Sequence, residues 1–321
     1  MFQNLASAFD QVFSLTVLLS LVSGSVLGII IGAVPGLGPG VAIAILLPFT
    51  FSLDPLSGIT LLMGVYAGAW YGGAIPAILI NTPGTGVNVL TTYDGYPMTQ
   101  AGEPQRALSL AYASSFFGGT ISVLVLIAVA PLLAFFAKQF GAADLAMAAT
   151  LAMVLVVTSH KGAELASAAM LGLGLFLSTI GFEGAYSSPR FTFDTTFLLG
   201  GVPMISVIVG LFAMSQAFNL IQSPARNKSI PVEVDRQLFG GFVEVLKYPV
   251  TLVRSSMFGV GMGILPGVGE FLAQFFAYST ARKSSKTPEL FGKGAPEGII
   301  ASEAANNAVP AAALVPLLAL G

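Results

Sequence analysis

Two glycine- and proline-rich interruptions contain the groups of this chain best suited to bind an ion. The first is GAVPGLGPG at residues 32–40, and the second is GILPGVGEF at residues 263–271. Both should break a helix, because proline lacks a backbone N–H and glycine adds backbone freedom. A broken helix leaves N–H groups that suit an anion and carbonyl groups that suit Na⁺. Each interruption is therefore predicted to be an ion-binding site.

The two interruptions belong to an internal repeat. At an offset of 231 the residues superpose in five pairs: Gly28 and Gly259, Gly32 and Gly263, Pro35 and Pro266, Gly36 and Gly267, Gly38 and Gly269. Downstream, Ala74-Ile75-Pro76 matches Ala308-Val309-Pro310 at an offset of 234. Paired Gly/Pro-interrupted segments in two halves of a chain are typical of the binding site of a secondary transporter.

The predicted substrate site consists of the polar and helix-breaking residues of these elements. The segments 32–40, 72–86 and 263–271 contain no Lys, Arg or His. An anion would then be held by backbone amides, the amide of Asn81, the hydroxyl groups of Thr82 and Thr85, and bound cations. The complete predicted set is Pro35, Gly36, Gly38, Asn81, Thr82, Pro83, Gly84, Thr85, Pro266, Gly267, Gly269, Asn306 and Asn307.

Two carboxylates are predicted to couple transport to a cation, either Na⁺ or H⁺. Glu270 lies inside the second interruption, and Glu303 lies just before Asn306 and Asn307. An ionisable group within a membrane span is a functional candidate by default. The alternative for Glu303 is an interhelical hydrogen-bond group formed with the two asparagines. No cofactor is predicted, and Asp94, in YDGYP, is interpreted as part of a turn.

The composition predicts an all-α, polytopic membrane protein with broken or re-entrant helices. Hydrophobic residues make up 55% of the chain and charged residues 9%, and the mean hydropathy is +0.85. A spanning helix requires roughly 20 apolar residues. The candidate spans are 13–33, 41–53, 57–80, 107–137, 141–158, 163–183, 203–221 and 256–279.

The distribution of charge predicts the orientation of the repeats. Nine of the thirteen basic residues lie in segments 222–256 and 282–293, and the positive-inside rule places both in the cytoplasm. The N-terminal segment 1–12 has no basic residue and is placed outside, which makes the repeat an inverted one. The predicted organisation is therefore a first repeat with additional transmembrane helices (1–221), a cytoplasmic connection (222–256) and the start of a second repeat (257–321). A net charge of −2 gives no reason to expect nucleic acid as a partner.

Five segments together resemble the large membrane subunit of the tripartite tricarboxylate transporters: GAVPGLGPGVAIAILLPFTF, GAWYGGAIPAILINTPGTG, TTYDGYPMTQAGEPQRAL, GILPGVGEFLAQFFAYSTARK and EGIIASEAANNAV. The resemblance implies a multi-pass carrier of the bacterial inner membrane that a cation gradient drives. It also implies two partners, a small four-span membrane subunit and a periplasmic solute-binding protein that delivers citrate or another carboxylate. The family continues beyond Gly321 with a further break and more helices, so this sequence is expected to be truncated.

A channel and an enzyme are the two alternatives to a carrier. A channel filter also exposes backbone carbonyls at a Gly-rich break, but filters usually repeat around a symmetric ring. An enzyme requires a nucleophile, an acid–base pair or metal ligands that converge. The sequence offers no His cluster, no acidic pair at helical spacing and no cysteine, so an enzyme is not expected.

The predicted orientation can be tested with single cysteines at Asn4 and Ser229, because the chain contains no native cysteine. An impermeant thiol reagent applied to intact cells should label position 4 and spare position 229. Labelling of both positions, or of neither, would contradict the inverted arrangement.

Overall fold

The computed structural model describes residues 11–137, 164–183, 188–203, 239–263 and 269–320, together with isolated positions between 141 and 218. Ten α-helices account for most of these residues, as the all-α prediction requires. They are α1 Leu15–Gly32, α2 Pro39–Thr50, α3 Pro55–Ile80, α4 Val89–Gln100, α5 Pro104–Ala137, α6 Glu164–Ser178, α7 Gly240–Val245, α8 Pro249–Gly263, α9 Gly269–Ser284 and α10 Pro296–Leu320.

Shorter elements connect some of these helices. A 3₁₀ turn at Gly86–Asn88 leads into α4, and another at Pro288–Leu290 precedes α10. After α6, the strands β1 (Gly181–Glu183) and β2 (Ser188–Arg190) pair in antiparallel register. A third 3₁₀ turn at Thr196–Leu198 and a π-helical segment at Val209–Met214 follow.

Among the described residues, three helices are long and apolar enough to cross a membrane: Leu15–Gly32, Pro55–Ile80 and the part of α5 from Pro104 to Ala128. They confirm the predicted spans 13–33, 57–80 and 107–137. The predicted span 41–53 is the 12-residue helix α2, which is about 18 Å long and too short to cross a core of about 30 Å.

The remaining predicted spans have different outcomes. Span 256–279 falls on α8, which is described as far as Gly263, and on α9, which is described from Gly269; positions 264–268, where the second interruption is predicted, lie outside the described residues. The prediction for 163–183 is wrong at its end, because α6 stops at Ser178 and Gly181, at φ +127°, starts β1. A glycine at positive φ ends a helical run without a steric penalty. Spans 141–158 and 203–221 lie largely outside the described residues.

The order of helices repeats along the chain. In the first half, α1 ends at Gly32, a break follows, and then come α2 and α3. In the second half, α8 ends at Gly263 and is followed, after the undescribed positions 264–268, by α9 and α10. In both halves the helix before the break packs against the long third helix, α1 on α3 and α8 on α10.

Glycines on both partners bring α1 and α3 into backbone contact. A Cβ atom on Gly24, Gly28 or Gly32 of α1 would overlap the carbonyl oxygens of α3, and glycines of α3 face α1 in the same way. In lipid no hydrophobic force favours one helix contact over another, so close packing of small residues drives association. The glycines of α3 in this contact are Gly64, Gly68 and Gly72.

The same contacts correct the alignment of the third helices. Gly28 packs on Val65, and its equivalent Gly259 packs on Ala305; similarly, Gly32 packs on Ala69 and Gly263 on Val309. Val65 and Ala69 therefore correspond to Ala305 and Val309, an offset of 240. The predicted offset of 234 is wrong, because Val-Pro occurs twice in this helix, at Val309-Pro310 and at Val315-Pro316. At the corrected offset Pro76 corresponds to Pro316.

Helices α3 and α10 run in opposite directions. Gly73 of α3 lies against Asn88, whose side chain bonds to Glu303 of α10. Five residues later, the carbonyl of Ile78 accepts a hydrogen bond from Thr99, and the neighbouring Met98 contacts Gly294, just before α10. Residue numbers therefore increase along α3 in the direction in which they decrease along α10. This geometry agrees with an inverted repeat, whereas the side of the membrane on which each end lies stays a prediction.

Alanine at Gly28 or at Gly259 should destabilise the protein, because the added Cβ would overlap the backbone of the facing helix. Overpacking of this kind costs about 1–3 kcal/mol. Gly172 in α6, with open space at its Cβ position, is the matched control and should tolerate alanine. Melting temperatures in detergent measure the effect, and a Gly259→Ala variant as stable as Gly172→Ala would argue against equivalent helix contacts in the two halves.

Candidate functional site

The first interruption bonds to the segment that follows α3. The N–H of Gly36 donates to the carbonyl of Gly84 at 2.8 Å, and the N–H of Gly84 donates to the carbonyl of Gly73 at 3.1 Å. A Cβ on Gly84 would overlap the Gly32 carbonyl oxygen. Unpaired backbone groups cost several kcal/mol each in lipid, so this chain of bonds explains how the interruption is tolerated.

Two predicted substrate-binding hydroxyl groups are already engaged within the protein. Thr82, 2% exposed, donates to the carbonyl of Ile80 at 3.2 Å. Thr85, 4% exposed, donates to the Oδ1 atom of Asn88 at 2.7 Å. Asn81 ends α3 in the left-handed conformation at φ 54° and is half-buried. Of these three residues, Asn81 is therefore the most accessible to a ligand.

The other predicted residues around the interruptions differ in their surroundings. Pro83 is buried, whereas Pro35 and Gly38 are half-buried, and the Cβ position of Gly38 faces open space. A Cβ on Gly269 would overlap the carbonyl of Met262. Pro266 and Gly267 lie outside the described residues. Of the predicted set, Gly36 and Gly84 therefore form a tight backbone junction, with an open side at Gly38 before α2.

Glu303 is the centre of a buried hydrogen-bond network. Its carboxylate is fully buried and accepts from Asn88 Nδ2 at 3.2 Å, from Ser115 Oγ at 3.0 Å and from Asn307 Nδ2 at 3.3 Å. The hydroxyl of Thr91 donates a further, short hydrogen bond. These donors come from the Gly86–Asn88 turn, α4, α5 and α10, so one carboxylate joins four elements. The interhelical hydrogen-bond group considered from the sequence is thus present for Asn307.

The Glu303 carboxyl group is surrounded by neutral hydrogen-bond partners. Amide and hydroxyl groups supply the hydrogen bonds that the structure describes to this carboxylate. Burying an ionised carboxylate without an opposite charge costs several kcal/mol, and neutral hydrogen bonds offset only part of that. The site is therefore suited to hold a proton on the carboxyl group or a cation such as Na⁺ beside it.

Asn306 offers an unused amide next to this network. Its side chain is fully buried, and neither Oδ1 nor Nδ2 has a hydrogen-bond partner among the described residues. Around α10, position 306 lies between Glu303, which faces α4, and Ala305, which packs against Gly259 of α8. The Nε2 atom of Gln274 in α9 is also buried, and it has no hydrogen-bond partner among the residues that the structure describes. An unsatisfied buried donor costs about 1–3 kcal/mol, which a polar ligand would offset.

Glu270 forms a second carboxyl site at the start of α9. It interacts with the hydroxyl of Tyr66 on α3, whose ring packs edge-on against Trp70 with centroids 5.8 Å apart. The next residue, Phe271, lies against Gly86 in the turn before α4. The hydrogen-bond partners of Glu270 and Glu303 are different residues, so the structure places the two predicted cation-coupling acids in separate surroundings.

Sequence reasoning missed Asn88, Thr91 and Ser115 as partners of Glu303. Asn88 and Thr91 are three residues apart, a spacing that puts them on one helical face, and this signal was available in NVLTT. Asp94 was interpreted as a turn residue, but it is buried within α4. The turn residues around it, Gly95 and Pro97, are accommodated inside the helix.

Broken helices that enclose buried carboxyl and amide groups, in two halves of opposite direction, define a component of a membrane transporter. The chain belongs to the tripartite tricarboxylate transporter TctA family, whose model matches residues 18–321. This is a family of transporter components and not of enzymes.

Two similar proteins come from Agrobacterium vitis. The "uncharacterized 52.8 kDa protein in TAR-I ttuC' 3'region" is 36% identical over 279 residues, which cover 87% of this chain and 55% of that protein. The "uncharacterized protein in TAR-II ttuC' 3'region" is 48% identical over 60 residues, 19% of this chain and 25% of that protein. The chain thus spans about half the length of the first of these relatives. No solved structure matches it.

Alanine at Gly84 should lower stability, because its Cβ would overlap the Gly32 carbonyl oxygen and lie 2.6 Å from the Gly73 Cα atom. A loss of about 1–3 kcal/mol is expected. Gly38→Ala is the control, since open space surrounds that Cβ position and its φ of −74° suits alanine. Thermal unfolding of the two purified variants measures the difference, and equal melting temperatures would show that the Gly36–Gly84–Gly73 junction is not under steric constraint.

Proposed function

We propose that this chain is the membrane-embedded subunit of a secondary transporter that imports carboxylates together with a cation. The observation that carries the proposal is the fully buried Glu303 carboxylate with neutral hydrogen-bond partners. A proton or a bound cation would offset the cost of burying this charge, and a site of this kind couples transport to a gradient. Glu270 is proposed as a second cation-coupling residue.

The substrate is proposed to be a tricarboxylate such as citrate, or a related carboxylate. Because the segments 32–40 and 72–86 have no basic side chain, uncharged donors and the co-transported cation would bind the anion. Asn306 supports this role, since its buried amide has no partner among the described residues. Asn81 and the backbone near Gly38 would contribute further donors, while Gly36 and Gly84 hold the interruption in place.

The partners are proposed on the basis of the family. They are a small membrane subunit with four spans and a periplasmic solute-binding protein that delivers the carboxylate. The complex would lie in the inner membrane of a bacterium, with α1, α3 and α5 spanning the bilayer. The name of the family supports three components, and the apolar helices support the location in a membrane.

Glu303→Gln in the complete transporter should remove the dependence of uptake on the coupling cation. The substitution keeps the size of the side chain and deletes the charge that the cation neutralises. Losing this buried charge interaction should reduce uptake by at least about ten-fold. Uptake of a labelled carboxylate into proteoliposomes is measured under an imposed Na⁺ gradient and, separately, under an imposed pH gradient.

The matched control is Glu289→Gln, which removes an exposed carboxylate from the turn before α10. This variant should transport like the unmodified protein. If Glu303→Gln also retained the full response to both gradients, the proposal that Glu303 binds the coupling cation would be wrong.

A further inference from the structure

Helix α10 carries Glu303, and a carboxylate from the other half of the chain holds the approach to this helix. The Oδ1 atom of Asp94 in α4 accepts hydrogen bonds from three backbone N–H groups. These donors belong to Gly292 at 2.8 Å, Gly294 at 3.0 Å and Ala295 at 2.8 Å. The Oδ2 atom accepts from the Tyr278 hydroxyl at 2.7 Å. All four donors belong to the second half, so Asp94 joins the two halves.

Steric contacts identify the same arrangement independently. A Cβ on Gly298, in the first turn of α10, would overlap Asp94 Oδ2 and would lie 3.0 Å from the Tyr278 ring. The carboxylate is therefore pressed against the start of the helix. A negative charge at a helix N-terminus is also favoured by the helix dipole.

The equivalent helix of the first half is held differently. α3 begins directly after Asp54, whose carboxylate accepts from the N–H of Ser57 at 3.0 Å and is exposed to solvent. Hydrogen bonding to the side chain and the backbone of Ser57 lowers the pKa of Asp54. α10 begins after Ala295, whose side chain cannot accept a hydrogen bond. The backbone N–H of Ala295 donates instead to the carboxylate of Asp94, 201 positions earlier in the chain. The second half thus depends on the first for a contact that the first half makes locally.

The Asp94 contact and the Glu303 network are reciprocal. Asp94 of α4 accepts from the second half, while Glu303 of the second half accepts from Thr91 of α4 and from Asn88 just before it. Thr91 and Asp94 are one helical turn apart. A shift of α10 along α4 would therefore break both sets of bonds together.

We infer that Asp94 is a positioning residue for the cation site, because it fixes the register at which Glu303 meets Thr91 and Asn88. The inference rests on the proposed function, in which Glu303 binds the coupling cation. Asp94 itself does not touch the cation. Losing its bonds leaves Glu303 in the protein but misplaces its oxygens relative to their donors, so cation affinity falls.

The test compares Asp94→Ala with Asp94→Asn in the complete transporter. The asparagine retains an acceptor for the three N–H groups and can donate to the Tyr278 oxygen, so it should keep nearly normal cation dependence. Alanine should raise the cation concentration for half-maximal uptake by about ten-fold, since buried donors lose their acceptor. Asp54→Ala, which removes the local contact at the start of α3, is the control and should not shift that concentration.

A role limited to folding would give another result. It would reduce the amount of active protein and the maximal rate, while the half-saturating cation concentration would stay unchanged, and that outcome would overturn the inference. If Asp94→Ala does not accumulate in membranes, Gly298→Ala replaces it. Its Cβ displaces the same carboxylate, and the same shift in half-saturating concentration is expected.

Hydrogen–deuterium exchange separates this inference from the proposed function. Amides of residues 292–298 should exchange faster in Asp94→Ala, and those at the start of α3 should not change. Unchanged exchange at 292–298 would overturn the role of Asp94 whatever the transport data show. A normal cation response in Glu303→Gln, together with faster exchange in Asp94→Ala, would instead refute the cation site and leave the Asp94 contact established.

Discussion

The need to hydrogen-bond every backbone group inside the membrane governs this structure. Lipid provides no partner for an N–H or a carbonyl group, so a helix can be interrupted only where other protein groups complete its bonds. The interruption after α1 meets this need through Gly36, Gly84 and Gly73, which bond in sequence. The junction also requires close approach, and glycine at Gly32, Gly73 and Gly84 makes that approach possible. These three glycines are therefore a consequence of the interruption.

Buried carboxylates also need hydrogen-bond donors, and leaving one without partners costs more free energy than leaving a backbone group unpaired. Asp94 receives backbone and phenolic donors, and Glu303 receives amide and hydroxyl donors. Each acid lies in one half of the chain and takes donors from the other, so the two halves stabilise each other's charges. The difference lies in the donors. Asp94 is held by a rigid backbone connection, which suits a structural contact, whereas Glu303 is held by side chains that can rearrange around a cation.

Equivalent positions of the two halves of the chain carry different types of side chain. At the corrected offset, Met63 corresponds to Glu303 and Tyr66 to Asn306, and Pro39 corresponds to Glu270 through the first offset. Both acids therefore lie in the second half, while the first half contributes the partners Tyr66, Asn88 and Thr91. The repeated backbone provides the symmetric frame, and the side chains make the site asymmetric.

The sequence by itself determined the membrane class, the first interruption, the long apolar helices α1, α3 and α5, and Glu303 with Asn307 as a polar group within a helix. These features follow from composition and from glycine and proline, which act locally on the backbone. Only the tertiary structure decided the 240-residue offset, the burial of Asp94 within a helix, and the choice of Asn88, Thr91 and Ser115 as partners of Glu303. Those partners lie 188 to 215 positions from Glu303, and helix packing, which local propensity does not encode, sets their pairing.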